Sequence, residues 1–404
     1  MDSTVNTKRL FIASCFALLT TAFAFGIRAG IMNDLVADMS LDDSQLGWIN
    51  FMGIFGFPIA TLIGGPMYNT LGPKRIGNIA FISHILGITL SIMSSSFVML
   101  FCSTFFISFG NGMVEAAYNP MIAAMYTEKR AVMLNRFHVW FPGGIAIGSV
   151  LALLVANMGG GWQIKLAIMF VPAIIYFVLF LGQKFPEAPK ETTVSNAGNL
   201  KAIFSSPIYW LMLVCMALTA TTELGTQSWV ERILANSGAQ PLLVLALVTG
   251  LMAIGRLFAG PLIHRLNITG VLLTSAVISS VAIFMMSMAT GPMVYVAAIL
   301  FAVGVCYFWP TMISFVAEYL PQTGALGMSL IGGVGMLGLS IFQPIIGGWI
   351  EGHRADLTAE GLTGEALELA AGQATLANIA IIPLILIGAF IVVFFWQKKQ
   401  KPAH

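Results

Sequence analysis

Long apolar runs, separated by short polar segments, follow one another along almost the whole sequence. Each is about 20 residues long, the length that a helix needs to cross the hydrocarbon core of a bilayer. The runs are continuous rather than alternating, which favours membrane helices over the strands of an outer-membrane barrel. Twelve spans are predicted, beginning near residues 10, 45, 76, 97, 137, 162, 207, 241, 268, 292, 325 and 376. The predicted fold is therefore all-α, a polytopic membrane protein with twelve transmembrane helices.

The longest polar connection lies at residues 183–206 and divides the spans into two groups of six. It carries Pro186, Pro189, Ser195, Asn196 and Gly198, a composition typical of a linker. We predict an N-terminal six-helix bundle over 1–182, a cytoplasmic linker over 183–206 and a C-terminal six-helix bundle over 207–404.

Repeated features support the same division. Gly65-Pro66 recurs as Gly260-Pro261, 195 residues later, and Pro120 recurs as Pro310, 190 residues later. Two matches at nearly the same offset predict two pseudo-symmetric halves, an arrangement typical of secondary transporters with a site between their halves.

Composition agrees with a membrane protein, because 58% of the 404 residues are hydrophobic and 9% are charged. Soluble domains carry about 25% charged residues. The net charge of +2 gives no case for a nucleic-acid partner. The four cysteines all fall inside apolar segments, so we predict small buried side chains rather than disulfides or metal ligands. No phosphate loop, paired-histidine zinc pattern or nucleophile turn is present, so neither an enzyme nor a cofactor is predicted.

The distribution of charge predicts the orientation. An even number of spans places both termini on one side. With the termini inside, most of the nineteen lysines and arginines lie in inside segments, and Arg354 is the only clear outside one. Both termini are therefore predicted to be cytoplasmic. The first run is too long for a signal peptide, and the short loops suit a bacterial inner membrane. A monomer is the default for two fused halves.

Two spans carry a polar face. Asn111, Glu115 and Asn119 in span four, and Glu223 with Gln227 in span seven, follow the spacing that places side chains on one side of a helix. A carboxylate at this depth is costly, so Glu115 is predicted to face a wet cavity or a partner. The asparagines either line that cavity or only join neighbouring helices. Glu223 either lines a cavity or is structural.

Basic residues occupy other spans. Arg28, in the outer half of span one, either snorkels to the headgroups, pairs with an acid, or binds an anionic group of a substrate. Arg256 in span eight is predicted to form an ion pair with an acid of a neighbouring span. His138 in span five is either a proton-carrying group or a neutral hydrogen-bonded side chain.

Spans ten and eleven bring aromatic and amide side chains near carboxylates. Tyr307, Trp309 and Gln343 have the chemistry of a sugar site, where apolar sugar faces stack and hydroxyls hydrogen-bond. They could equally be ordinary packing residues.

The segment after span two resembles the signature of the major facilitator superfamily, in which a glycine is followed by an acid, a second glycine and basic residues. Here Asn69 replaces the acid and Pro73 replaces one basic residue. The resemblance implies gating or structural roles for Gly65, Asn69, Gly72, Lys74 and Arg75, although the segment lacks the acid of the usual charge-based inner gate. Arg256, in the Gly-Arg of span eight, is also predicted to be a gating or structural residue, and that Gly-Arg fits the family pattern described next.

Other stretches resemble the fucose permease family of sugar:proton symporters. They are Asn33-Asp34, Glu115-Ala116-Ala117-Tyr118-Asn119-Pro120, and Leu134-Asn135 followed by His138. The resemblance implies that Asp34 and Glu115 couple protons to substrate and that His138 lies close to the substrate. Arg28 has no counterpart in that pattern, so the substrate need not be fucose.

These observations predict a transporter in the lipid bilayer that moves a small polar solute, most simply a sugar, by proton-coupled alternating access. Protonation of a buried carboxylate, Glu115 first and Asp34 second, would change which state is stable. An exporter or organic-anion carrier of the same fold is the first alternative, motivated by Arg28. A non-transporting receptor, a lipid-moving protein or an uncoupled uniporter are others.

Overall fold

The structure, a computed structural model, describes residues 5–186, 196–257 and 259–399, and every described element is helical. Within these ranges the side chains of 69, 129–132, 196–197, 259–264 and 324–325 are outside the description. Eleven of the described helices are long and apolar enough to cross a membrane, and a twelfth, Pro241–Arg256, is shorter. The predicted all-α class is confirmed.

The chain forms two compact units, Met1–Glu191 and Thr192–His404. The division falls inside the segment predicted as a linker. That segment also contains a helix, Asn196–Ser205, while residues 187–195 lie outside the described residues.

The described part of the first unit contains six spans. Span 1 is followed by the short helix Met32–Met39, and spans 2 and 3 form one continuous helix that bends at Gly72, where φ is 71°. The spans are Thr7–Ala29, Asp43–Tyr68, Thr70–Ile92, Phe97–Met125, Met133–Asn157 and Trp162–Phe180.

The second unit repeats the pattern. Span 7 is Pro207–Ser228, and the shorter apolar helix Pro241–Arg256 corresponds to span 8. The helix Ala259–Met286 then bends at Asn267, where φ is 55°, and its second part, Arg265–Met286, is span 9. Spans 10 to 12 are Pro292–Tyr319, Leu326–Ala359 and Gly364–Lys399.

Side chains at the first residues fix where several helices begin. Asp42 accepts a hydrogen bond from the backbone N–H of Gln45 at 2.7 Å, and the Gln45 side chain accepts one from the Asp42 N–H at 3.1 Å. This reciprocal pair satisfies two N–H groups that have no partner within the helix. Spans 7 and 8 begin with Pro207 and Pro241, where the missing proline N–H costs nothing.

One sequence expectation about the cysteines is wrong. Cys15, Cys215 and Cys306 are buried free thiols, but Cys102 is exposed on the surface of span 4. An apolar run predicts that a residue lies within the membrane, and it does not tell a face that packs on protein from a face that meets lipid.

Candidate functional site

Arg28 lies at the end of span 1, and its side chain points into the first unit. It is 7% exposed. Its Nη1 donates a hydrogen bond to the Gly53 carbonyl of span 2 at 2.7 Å, and its guanidinium lies over the Phe25 ring, 4.9 Å from the centroid. Its Nε and Nη2 are buried without a hydrogen-bond partner. Of the roles considered from the sequence, snorkelling to the headgroups does not fit this geometry, because the guanidinium is turned inward.

A small cleft, partly open to solvent and with a cavity volume of about 30 Å³, is lined by Arg28. Asn50, which is 1% exposed, lines the same cleft, and its Nδ2 also lacks a partner. Most of the remaining lining is apolar, and it includes Ile31, Leu46, Ile107 and Met169. The cleft therefore combines an apolar wall with three buried N–H donor atoms.

Gly53 permits the contact between spans 1 and 2. A Cβ added at this position would lie 2.6 Å from Arg28 Nη1. The absence of a side chain at Gly53 therefore lets the guanidinium reach the backbone carbonyl.

Asp34, predicted as a proton-coupling residue, is in an ion pair. Its Oδ2 lies 2.6 Å from the Nζ of Lys165 in span 6, which also donates to the Gly30 carbonyl at 2.9 Å. The Lys165 side chain is 3% exposed and that of Asp34 is 31% exposed. The pair joins the end of span 1, the short helix and span 6 beside the cleft.

The polar face of span 4 is divided between two environments. Glu115 is half-buried and accepts a hydrogen bond from Asn119, one turn later on the same helix. Asn111 is 1% exposed, and its Oδ1 lies 3.0 Å from His84 Nε2 in span 3. The other ring nitrogen of His84 is 3.2 Å from the hydroxyl of Tyr176 in span 6. For Asn111 this geometry favours the helix-joining role over the substrate-binding one.

His138 lies at the end of the helix Arg130–His138, just before the helix Trp140–Asn157. It is half-buried, and its ring makes an edge-to-face contact with the Phe137 ring, with the two ring centroids 5.1 Å apart. Its predicted proximity to substrate stays a prediction.

The second unit contains a buried ion pair. Glu223 is 3% exposed, and its Oε1 accepts a hydrogen bond from Arg256 Nη2 at 3.2 Å. This is the kind of pair that the sequence predicted for Arg256. Arg256 Nε also donates to the Cys306 carbonyl of span 10 at 3.2 Å. Glu223 Oε2 is buried without a partner.

Glu223 lies within a single turn of π-helix, Thr221–Gly225, in the last third of span 7. Such turns insert a residue into an α-helix and are frequent at functional sites. The next turn brings Gln227, whose Nε2 lies 3.5 Å from the sulfur of Met252 and whose Oε1 has no partner.

The predicted sugar-site residues have separate partners. Gln343 Oε1 accepts from the indole N–H of the fully buried Trp229 at 2.9 Å. The Tyr307 hydroxyl donates to the Gly255 carbonyl at 2.8 Å. The Trp309 ring packs against span 11, 3.3 Å from where a Cβ of Gly335 would lie. Each contact explains the side chain by packing, and a sugar role stays a prediction.

The segment after span 2 is organised by the bend at Gly72. Gly65, Lys74 and Arg75 are exposed, and the side chain of Asn69 lies outside the described residues, as does that of Pro261 in the second half. The gating role of this segment stays a prediction.

Sequence reasoning did not single out Asn50, His84 or Lys165. Lys165 and Asp34 are both predicted to lie near the outer ends of their spans, so an ion pair between them could have been suggested. Asn50 and His84 gave no signal of their own, because a single polar residue in an apolar span names no partner.

The sequence profile of the Major Facilitator Superfamily matches residues 11–342. The chain belongs to the Major Facilitator Superfamily. The narrower resemblance to the fucose permeases stays a prediction.

Curated relatives within the superfamily are distant. The 3-(3-hydroxy-phenyl)propionate transporter of Escherichia coli (strain K12) is 25% identical over 260 residues, covering 60% of this chain and 61% of the relative. The 2-nitroimidazole transporter of the same strain is 21% identical over 234 residues, covering 58% of this chain and 59% of the relative. The chain thus matches about three-fifths of the length of these relatives.

Solved structures show the same fold. A bacterial homologue of the human lysosomal transporter Spinster, in an inward-facing and unoccupied conformation, superposes with a TM-score of 0.80 at 15% identity and covers 100% of both chains. The nucleoside transporter NupG gives 0.76 at 13% identity, covering 98% of this chain and 99% of that one. At these identities the likeness establishes the fold alone. The family match and the long apolar helices identify a multi-pass membrane protein.

Proposed function

We propose that this protein is a secondary active transporter that moves a small carboxylate-bearing organic solute by proton-coupled alternating access. The observation that carries the choice of solute is the unpartnered Nε and Nη2 edge of Arg28, buried in an apolar cleft. It favours the organic-anion alternative over a neutral sugar.

The geometry of the guanidinium supports a carboxylate in particular. Nε–H and Nη2–H lie along one edge of the plane and point in parallel, so that edge can donate two hydrogen bonds to the two oxygens of one carboxylate. Nη1 is already held by Gly53, and the Phe25 ring lies against the guanidinium, so the free edge is fixed in orientation. Asn50 Nδ2 supplies a further donor in the same cleft.

Burial of a charge without a counter-charge is costly. A bound carboxylate would supply that counter-charge, and the apolar wall would accept a hydrocarbon or aromatic body. Relatives whose names specify carboxylates, the 3-(3-hydroxy-phenyl)propionate transporter and the cis,cis-muconate transport protein of Acinetobacter baylyi, are consistent with this class of solute.

A sugar is the second candidate, favoured by the half-buried Tyr307 and Trp309 and by the half-buried Glu115–Asn119 pair. A sugar would depend on these residues and not on Arg28. A bacterial inner membrane and cytoplasmic termini belong to the same proposal, because they rest on loop charge and loop length.

Matched acids and amides separate the candidates. Purified protein in proteoliposomes is offered nicotinate or nicotinamide, benzoate or benzamide, and glucose or fucose. We expect uptake of a carboxylate and rejection of its amide. Uptake of sugars, with none of the acids, would overturn the carboxylate proposal.

Variants of Arg28 test the site itself. Arg28→Lys keeps the positive charge and loses the bidentate Nε–H and Nη2–H edge. Arg28→Gln loses both the charge and that edge. Because charge-assisted hydrogen bonds contribute about 1.5–3 kcal/mol each, we expect Arg28→Gln to weaken carboxylate binding by about 30-fold or more. Arg28→Lys should fall between Arg28→Gln and the unmodified protein. Equal binding in all three would contradict a role for the guanidinium.

A further inference from the structure

Glu223 lies where a carboxylate is least expected to stay charged without help. It is almost fully buried in the last third of span 7, within one turn of π-helix. A π-turn leaves helical hydrogen bonds with poorer geometry than an α-turn, so it costs stability and is retained where a position needs it.

The charged form of Glu223 is held by one partner. Arg256 Nη2 donates to Oε1, and Arg256 Nε donates to the Cys306 carbonyl, so a single guanidinium ties span 7 to spans 8 and 10. The Tyr307 hydroxyl, donating to the Gly255 carbonyl, forms a second tie between spans 8 and 10. Loss of charge on Glu223 would therefore remove the attraction that fixes Arg256 between these helices.

Two acceptors on this helix face are unsatisfied together. Glu223 Oε2 and Gln227 Oε1 are both buried without a hydrogen-bond partner, and they belong to residues four positions apart on one helix. Two acceptors cannot bond to each other. One added proton on Glu223 turns its oxygen into a donor, and Gln227 Oε1, four residues later, is an unpartnered acceptor.

We infer that Glu223 takes up and releases the coupled proton, that Gln227 accepts the resulting O–H, and that Arg256 is the positioning residue for the charged form. The inference rests on the proposed proton-coupled function and replaces Glu115 and Asp34 as the coupling group.

The surroundings of Glu223 suit this role. Arg256 of span 8 is the cation beside it, and Cys306 of span 10, whose carbonyl accepts from Arg256, is an ionisable neighbour. From span 11, Leu339 and Ile346 lie against the π-turn at Gly225 and are apolar. Among the described ion pairs, Arg256 is the single counter-charge of Glu223. Neutralising Glu223 therefore frees Arg256 and changes no other ion pair.

The other two acids differ in this respect. Asp34 is 31% exposed, so water already stabilises its charge, and its protonation would leave Lys165 unpaired at 3% exposure, more deeply buried than Arg256 at 15%. Glu115 is half-buried and receives its hydrogen bond from an uncharged amide of its own helix, so its protonation would release no contact between helices.

Infrared difference spectroscopy on the reconstituted protein tests the proton site without any solute. Acidification should produce a protonated-carboxyl band that Glu223→Gln removes. Glu223→Asp, which keeps a titratable group, should retain a band. The matched control is Glu368→Gln, since Glu368 pairs with Arg354 at a partly exposed position. An unchanged band in Glu223→Gln would overturn the inference, as would its loss in Glu115→Gln or Asp34→Asn with retention in Glu223→Gln.

Transport in proteoliposomes then separates coupling from solute binding, with nicotinate and benzoate as probes. In Glu223→Gln we expect accumulation driven by a pH gradient to fall by about tenfold or more while exchange of internal for external solute continues. Gln227→Leu should reduce the gap between gradient-driven accumulation and solute exchange. Glu368→Gln should leave both accumulation and exchange unchanged. Gradient-driven accumulation by Glu223→Gln would contradict the inference. If the unmodified protein takes up neither acid, the carboxylate proposal fails, and the infrared result still decides the role of Glu223.

Discussion

Arg28 and Glu223 occupy matching places in the two halves and carry opposite charges. They are 195 residues apart, the offset that relates Gly65-Pro66 to Gly260-Pro261, and both are buried towards the C-terminal end of the first span of their half. Glu223 has a resident counter-charge in Arg256, whereas Arg28 donates only to a neutral carbonyl and keeps one edge unpartnered.

Under the two proposals, the first half binds the solute and the second half carries the coupled proton. A buried charge with a built-in partner can be neutralised by one proton, and that neutralisation changes the contacts between helices. A buried charge without a partner gains most from an external ion. The same position in a duplicated fold can thus serve the proton in one half and the solute in the other.

The largest effect is expected from Arg256→Leu. Removing one member of a buried pair strands the other, which typically costs about 3–5 kcal/mol. We expect a large fall in the melting temperature of purified protein in detergent. Glu223→Gln added to Arg256→Leu should recover most of the loss, because no charge is then left unpaired.

The double variant is the control for this comparison. If Arg256→Leu and Glu223→Gln destabilised additively, the two side chains would not be acting as a pair, and the contrast with Arg28 would lose its basis.

A smaller effect is expected when the first half is given its own counter-charge. Asn50→Asp is nearly isosteric and places a carboxylate in the cleft of Arg28. The new acid should compete with a bound carboxylate and weaken nicotinate or benzoate binding by about tenfold, or about 1.4 kcal/mol. It should also raise the melting temperature, since Arg28 gains a partner.

Asn50→Ala is the matched variant and removes the donor without adding charge. A carboxylate that binds Asn50→Asp as tightly as the unmodified protein would show that Arg28 does not receive it. Calorimetric titration of both variants provides the measurement.

Much of the fold was predictable because the apolar runs report directly on helices that must bury or hide their backbone in lipid. The repeat is visible in the backbone as well as in the sequence. Gly72 and Asn267, again 195 residues apart, both bend their helix with a positive φ and ψ of 167° and 173°. Ser40 and Asn236 form a second positive-φ pair, 196 residues apart.

The site was less predictable because partners belong to tertiary structure. The i, i+4 rule grouped Glu223 with Gln227, and it also placed Asn111 and Glu115 on one helix face, where both could line the same cavity. The structure distinguishes Asn111 from Glu115, because Asn111 contacts His84 of a neighbouring helix. The repeat offset would have matched Arg28 with Glu223 in advance. No local pattern announces the π-turn, since its extra residue is fixed by packing around it.

The smallest effect, and the one that most sharpens the comparison, is expected from Arg28→Met. Methionine keeps much of the volume, and it removes a buried cation that has no counter-charge to strand. The loss of the hydrogen bond to Gly53 costs about 1–3 kcal/mol, and relief of the buried charge offsets it. The melting temperature should therefore change little or rise, while carboxylate binding is lost. A fall as large as that of Arg256→Leu would mean that Arg28 is a structural cation like Arg256, and the two halves would then differ in sign only and not in role.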